Sequence, residues 1–174
     1  GQFQYTNHAY PIPYMPPHVP MDTPVGIYHR SLEITNVNEK KYLMFDGVCS
    51  MFLVYINGAY VGMSKGSRLM AEFDITDYVK EGTNDLTVVV FTYSDATYIE
   101  DQDCFRFNGI FRDVYLTSEP LVKIEDYVVV TDLDENYEDA VLSVSADIRN
   151  LSTEDQNGWT IDVQAFDEAG NDIL

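Results

Sequence analysis

The chain has 174 residues, of which 45% are hydrophobic and 13% aromatic, a content typical of folded domains and too high for a disordered chain. Its 29 acidic and 10 basic residues give a net charge of −19, which argues against a nucleic-acid partner because phosphate binding requires clustered Lys and Arg. No apolar stretch is long enough to cross a bilayer, and the first residues do not resemble a signal peptide, so we expect no membrane partner.

The charge is distributed unevenly along the chain. Residues 1–120 contain 15 acidic and eight basic residues, whereas residues 121–174 contain 14 acidic and two basic ones. This change of composition near Pro120 predicts two domains, 1–120 and 121–174. The two cysteines, Cys49 and Cys104, lack the spacing of a zinc site or a disulfide framework and are compatible with a reducing cytoplasm.

An arm rich in proline comes first. Six of the seven prolines fall within residues 11–24, where they rule out a helix or a central strand because proline lacks the N–H donor and has a fixed φ. We expect an extended arm that lies on a protein surface and contacts it through Tyr10, Tyr14 and His18.

Short strands with turns between them follow as far as residue 116. Strands are predicted at 26–34, with Ile27, Leu32 and Ile34 facing the core, and at 41–45, 50–56, 59–63, 86–93 and 111–116. Asn57-Gly58 predicts a type I′ hairpin, residues 74–79 a single helical turn and residues 81–84 a further turn. This pattern predicts an all-β fold, a β-sandwich of the jelly-roll type.

Residues 121–174 contain three further candidate strands, at 123–131, 140–150 and 158–167, with a bulge predicted near Ser143. They resemble the beginning of an immunoglobulin-like β-sandwich, a fold that requires about seven strands in about 100 residues. We therefore expect an incomplete immunoglobulin-like domain with an unpaired sheet edge at 159–166.

The polar run at residues 100–103 (sequence EDQD) is the main candidate for a functional site. Carboxylate and amide oxygens between aromatic residues suit sugar hydroxyls or a hard cation. A charged loop held by Arg106 and Arg112 explains the same residues without a ligand. The aromatic residues nearby would stack on a sugar ring or fill the core; they are Tyr93, Tyr98, Phe105 and Phe107.

The order of the motifs resembles glycoside hydrolase family 2, and more narrowly the large bacterial β-galactosidases. The resemblance covers residue 3 to about residue 120, where it implies a jelly roll of the galactose-binding-domain type, and is weaker beyond. Besides residues 94–113, it rests on 5–11 (YTNHAYP), 45–48 (FDGV), 55–62 (YINGAYVG), 67–74 (SRLMAEFD) and 109–113 (GIFRD).

The resemblance implies that Asn7 and Asp103 bind the galactosyl group and that Asp103 also helps to hold a sodium ion. An amide donates to and accepts from hydroxyls, and a carboxylate is a strong acceptor and a hard cation ligand. Two structural alternatives stay open. Asn7 is explained equally as a turn residue before the arm, and Asp103 as the partner of Arg106 or Arg112 in a salt bridge.

The resemblance also implies what the chain does. It would be the N-terminal, non-catalytic portion of an enzyme that hydrolyses terminal β-galactosides, with both catalytic glutamates in a barrel domain that follows. We expect no activity from this chain alone, and no Mg²⁺ site in it, since Mg²⁺ would belong to the catalytic domain. Its partners would be the other domains of the polypeptide, the β-galactoside and further subunits of a homo-oligomer. A cytoplasmic location is expected, although a periplasmic or secreted enzyme fits too. The alternative is an autonomous carbohydrate-binding module.

Overall fold

The computed structural model describes residues 4–6, 10–100, 103–106 and 108–173, which divide into two compact units, Gly1–Pro120 and Leu121–Leu174. Nearly all regular structure in the described residues is β-strand, with two short 3₁₀ turns at Thr76–Tyr78 and Asp95–Tyr98. The strands are β1 (Gln4–Thr6), β2 (Val25–Ile34), β3 (Lys40–Phe45), β4 (Val48–Cys49), β5 (Met51–Ile56), β6 (Ala59–Ser64), β7 (Ala71–Asp74), β8 (Gly82–Phe91), β9 (Cys104–Arg106), β10 (Gly109–Ile110), β11 (Val114–Glu119), β12 (Val122–Leu133) and β13 (Ala140–Asn150).

Two antiparallel sheets form the sandwich of the first unit, which confirms the all-β prediction. One sheet has the strand order β2-β8-β5-β6 and the other has β11-β3-β7. Two further pairs, β1-β9 and β10-β4, form separate two-stranded sheets. No helix in the described residues is both long and apolar enough to cross a membrane.

Aromatic side chains from both sheets form the core. The ring centroids of Phe45 (β3) and Phe52 (β5) are 4.7 Å apart, and the Phe73 ring (β7) lies 5.8 Å and 5.7 Å from them. In β5, alternate residues are buried, as the sequence pattern predicts: Phe52, Val54 and Ile56 face the core. The packed core fixes the two sheets against each other, and the strand ends in turn position the loops that connect them.

The Asn57-Gly58 hairpin is confirmed by positive φ angles of 51° and 80° at the two residues. The turn predicted at 81–84 is wrong for its last three residues, which begin β8. The reason is Asn84. Its buried side-chain amide donates to the carbonyl oxygens of Lys80 and Gly82, the hydrogen bonds typical of a turn, while its backbone pairs with Leu32 in the sheet.

The prediction that Ile27 faces the core is also wrong, because 72% of its surface is exposed. It lies on β2, the edge strand of the four-stranded sheet. The sandwich is open between the edges of β2 and β11. A cavity of about 530 Å³ there is lined by both strands and by the core residues Leu43, Phe45, Leu86 and Val88.

The second unit contains one long antiparallel pair, β12-β13. Its irregularity lies between Ile124 and Asp126 and not near Ser143, where the sequence predicted it. The strand predicted at 158–167 is wrong: the described residues there form only a single bridge, between Phe166 and Asp172. Alternating apolar residues become a strand only when a neighbouring strand pairs with them. The assignment of this unit to an immunoglobulin-like domain stays a prediction.

Candidate functional site

The acidic loop, defined here as residues 94–106, leaves the end of β8 and leads into β9. Residues 101 and 102 lie outside the described part. The sequence predicted neither helix nor strand in this run, but the loop contains a 3₁₀ turn (Asp95–Tyr98) and its last three residues form β9. Ser94 begins the turn, and its backbone N–H donates to Thr97 Oγ1 at 3.0 Å.

Asp103 immediately precedes β9 and its surface is exposed. A carboxylate at the surface avoids the cost of burying a charge, and the salt bridge of Asp103 with Arg106 or Arg112 stays an open alternative. Arg112, one of the two arginines considered as its partner, donates to the carbonyl oxygens of Asp46 (3.2 Å) and Arg68 (3.1 Å). Arg106 donates to the Thr97 carbonyl oxygen at 3.5 Å.

Asn7 lies outside the described residues, but the strand before it is described. In the β1-β9 ladder, Gln4 pairs with Arg106, Tyr5 with Phe105 and Thr6 with Cys104. Asn7 follows Thr6 in the sequence and Asp103 precedes Cys104. The two predicted sugar-binding residues are thus each one peptide bond away from the same cross-strand pair, although 96 positions separate them in the chain.

The proline arm lies against the acidic loop through tyrosines. The Tyr98 ring is 5.3 Å from the Tyr10 ring and 5.8 Å from the Tyr14 ring, measured between centroids. The Tyr98 hydroxyl lies 2.6 Å from the His18 carbonyl oxygen, and the Tyr10 hydroxyl donates to the Tyr98 carbonyl oxygen at 3.0 Å. The predicted contacts of Tyr10 and Tyr14 are confirmed, whereas His18 takes part through its backbone rather than its imidazole.

These contacts show the role of Tyr98, one of the aromatic residues that the sequence offered either for stacking on a sugar ring or for the core. Tyr98 packs on the arm and so has a structural role, while 55% of the surface of Phe105 is exposed. Phe107 lies outside the described residues.

A second segment, residues 65–68, holds the acidic loop from the other side. Ser67 is 1% exposed and donates two hydrogen bonds to the Glu100 carboxylate, from its backbone N (2.8 Å) and from Oγ (2.5 Å). Lys65 Nζ lies 2.8 Å from Asp95 Oδ1, and this hydrogen-bonded ammonium group lowers the pKa of the Asp95 carboxyl. Sequence reasoning missed the Ser67–Glu100 contact because 33 positions separate the two residues.

Cys49 lies beneath this contact and is half-buried. Burial raises the pKa of its thiol, although a hydrogen bond with Ser67 opposes that effect. A thiol held in its protonated form is a poor nucleophile and a poor metal ligand, so a packing role fits Cys49 best.

The corner at residues 45–48 packs against residues 111–113. Asp46 N donates to the Asp113 carbonyl oxygen at 3.0 Å. A Cβ on Gly47 would lie 2.9 Å from the Phe111 ring, so glycine is required there for space. Gly47 does not have a positive φ, so space and not backbone conformation favours glycine at this position.

The described residues contain no group of three or more His, Cys, Asp and Glu side chains placed to hold a metal ion. Asp103 supplies a carboxylate of the kind that a hard cation prefers, and sodium would need further oxygens beside it. The shared sodium site stays a prediction, with Asp103 as the one ligand that this chain is expected to supply.

The model of the family described as "Glycosyl hydrolases family 2, sugar binding domain" matches residues 1–120, the whole of the first unit. The chain therefore belongs to glycosyl hydrolase family 2 and contains the sugar-binding domain of that family. The description of the matched domain names sugar binding and not catalysis.

Curated relatives named beta-galactosidase extend the similarity beyond residue 120. That of Priestia megaterium is 47% identical over 180 residues, which cover 98% of this chain and 17% of the relative. That of Actinobacillus pleuropneumoniae is 46% identical and covers 80% of this chain and 14% of the relative. The chain thus spans about one sixth of the length of these relatives.

Solved structures agree on the fold. Beta-glucuronidase 2 of Bacteroides uniformis superimposes with a TM-score of 0.65 over 87% of this chain and 19% of that structure, at 23% sequence identity. At this identity the match supports the sandwich architecture alone.

Proposed function

We propose that this chain is the sugar-binding portion of a longer β-galactosidase-type glycosidase, and that Asn7 and Asp103 contribute to the galactosyl subsite of that enzyme. The relatives named beta-galactosidase support this substrate class, since one of them is similar over 98% of the chain at 47% identity. The other domains of the same polypeptide supply the two carboxyl groups that glycoside hydrolysis requires.

The β1-β9 ladder is the observation that carries the proposal. Pairing of Thr6 with Cys104 brings the chain segments that bear Asn7 and Asp103 to the same end of one short ladder. The Asp103 carboxylate accepts a hydrogen bond from a sugar hydroxyl, and the Asn7 amide both donates and accepts. Asp103 would also be one of the oxygen ligands of a sodium ion, which would supply positive charge to the galactosyl subsite.

The proposal includes the setting in which the domain works. Its partners are the β-galactoside and the remaining domains of the polypeptide, in a homo-oligomer located in the cytoplasm. Mg²⁺, where it is used, binds to the catalytic domain.

The isolated 174-residue chain is expected to release no nitrophenol from a nitrophenyl β-galactoside, because it contributes only part of the substrate contacts and neither catalytic carboxyl group. The measurement compares absorbance in the presence of the chain with a blank that contains no protein. Turnover clearly above the blank would contradict the assignment of catalysis to other domains.

The same preparation, titrated with millimolar galactose and followed by backbone amide resonances, separates the proposal from an autonomous carbohydrate-binding module. We expect no saturable shifts, because a few hydroxyl contacts do not offset an association cost of about 4–15 kcal/mol. Saturable shifts of resonances near Asp103 would favour the module.

A further inference from the structure

The contact between Ser67 and Glu100 has the features of a support for the acidic loop. Both Glu100 carboxylate oxygens are engaged by one residue, at 2.8 Å by Ser67 N and at 2.5 Å by Ser67 Oγ. Ser67 is 1% exposed, so the sandwich fixes the donor side of the pair. Hydrogen bonds to an ionised acceptor are short and strong, and two from one residue also fix the direction of the carboxylate.

Two further contacts join the same segment to the loop on either side of Glu100. Lys65 Nζ lies 2.8 Å from Asp95 Oδ1, and Arg68 Nη2 donates to the Phe105 carbonyl oxygen at 3.1 Å. The Lys65–Asp95 pair is exposed, and exposed ion pairs contribute little because water and salt screen them. The Ser67–Glu100 pair is therefore the main contact between residues 65–68 and the part of the loop that precedes Asp103.

Asp103 lies between two residues whose positions are restrained by contacts, Glu100 and Cys104. Glu100 precedes it by three residues, which limits the distance between their Cα atoms to roughly 11 Å. Cys104, which follows it directly, is held by its pairing with Thr6 in the β1-β9 ladder. The place at which Glu100 is held therefore limits the region that the Asp103 carboxylate can reach.

We propose that Glu100, held by Ser67, is a positioning residue that sets the place of the Asp103 carboxylate in the galactosyl and sodium subsite. The inference rests on the proposed function. Glu100 acts through the backbone of the acidic loop and does not itself touch the sugar.

The test uses the full-length enzyme with the variants Glu100→Ala and Glu100→Gln. Glu100→Ala is expected to raise the sodium concentration for half-maximal activity by about tenfold, the usual cost of removing a group that orients a metal ligand, with a parallel rise in KM and a smaller change in kcat. Glu100→Gln keeps one carbonyl oxygen as an acceptor and should give an intermediate value.

Glu33→Ala is the matched control. Glu33 also accepts a hydrogen bond from a hydroxyl, that of Thr83 at 2.9 Å, but Thr83 lies at the opposite end of β8 from the acidic loop. Removal of the Glu33 carboxylate should therefore leave the response of activity to sodium unchanged. Thermal unfolding of all variants shows whether any change follows from loss of the fold.

A double-mutant cycle with Asp103→Ala gives the decisive readout. If Glu100 acts through Asp103, adding Glu100→Ala to Asp103→Ala should change KM and the sodium response by less than about twofold, because both changes remove one function. Additive effects, or kinetics of Glu100→Ala equal to those of Glu33→Ala while Asp103→Ala is defective, would overturn only the positioning role. Wild-type kinetics of Asp103→Ala would overturn the proposed function, and this inference with it.

Discussion

Replacing Asp103 with alanine in the full-length enzyme is expected to lower kcat/KM for a nitrophenyl β-galactoside by about 10- to 100-fold. The magnitude corresponds to one hydrogen bond to a charged group, about 1.5–3 kcal/mol, at about 1.4 kcal/mol for each factor of ten. The exposed carboxylate lies at a loop and not in the core, so the loss should appear in kinetics rather than in folding. The response of activity to sodium should disappear as well, because a cation ligand is removed.

Glu81→Ala is the control for this variant. Glu81 is an exposed acid of the same domain that lies just before β8, whereas the acidic loop follows the other end of that ten-residue strand. The separation is on the order of 30 Å at about 3.4 Å per residue. If Asp103→Ala and Glu81→Ala both showed wild-type turnover and sodium response, the first unit would be a purely structural sandwich.

Replacing Phe45 with alanine is expected to remove about 3–5 kcal/mol from the free energy of unfolding, the usual cost of deleting a large buried aromatic ring. Phe45 is fully buried and its ring contacts those of Phe52 and Phe73, with centroids 4.7 Å and 5.8 Å away. Since a domain is stable by about 5–15 kcal/mol, this single change removes a large share of the total.

Urea unfolding of the isolated chain, followed by a probe of the first unit, measures this effect as a lower midpoint concentration. Leu69→Ala is the control, because Leu69 is 74% exposed in the same unit and its truncation should cost no more than about 0.5 kcal/mol. Equal shifts of the midpoint for the two variants would contradict the assignment of Phe45 to the centre of the core.

The parts of the fold that could be predicted from the sequence are those that local chemistry determines. The alternating pattern of β5 depends on neighbouring residues alone, and so does the requirement for positive φ at Asn57 and Gly58. The misplaced start of β8 has a tertiary cause, since the Asn84 side chain satisfies a turn while the backbone of the same residue pairs in the sheet. A tertiary cause also explains the strand wrongly predicted at 158–167, because pairing with a neighbouring strand, and not the alternating pattern alone, determines whether a strand forms.

The candidate site shows the same division. The polar run at residues 100–103 is visible in the sequence, whereas the family resemblance is what selected Asp103 within the run and Asn7 outside it. The pairing of Thr6 with Cys104 and the contact of Ser67 with Glu100 join residues far apart in the chain, so no local pattern signals them. The supports of a loop site are tertiary contacts, and these require the structure.

The account is tested most directly by the mass of the native polypeptide that contains this sequence, measured together with its hydrolysis of a nitrophenyl β-galactoside. We predict an active polypeptide on the order of six times the 19.8 kDa of this chain, because the chain spans 17% of its Priestia megaterium relative. Such a mass leaves room for a catalytic barrel of about 250 residues or more. A native polypeptide close to 19.8 kDa that binds galactose without hydrolysing the substrate would contradict the account and identify an autonomous sugar-binding module.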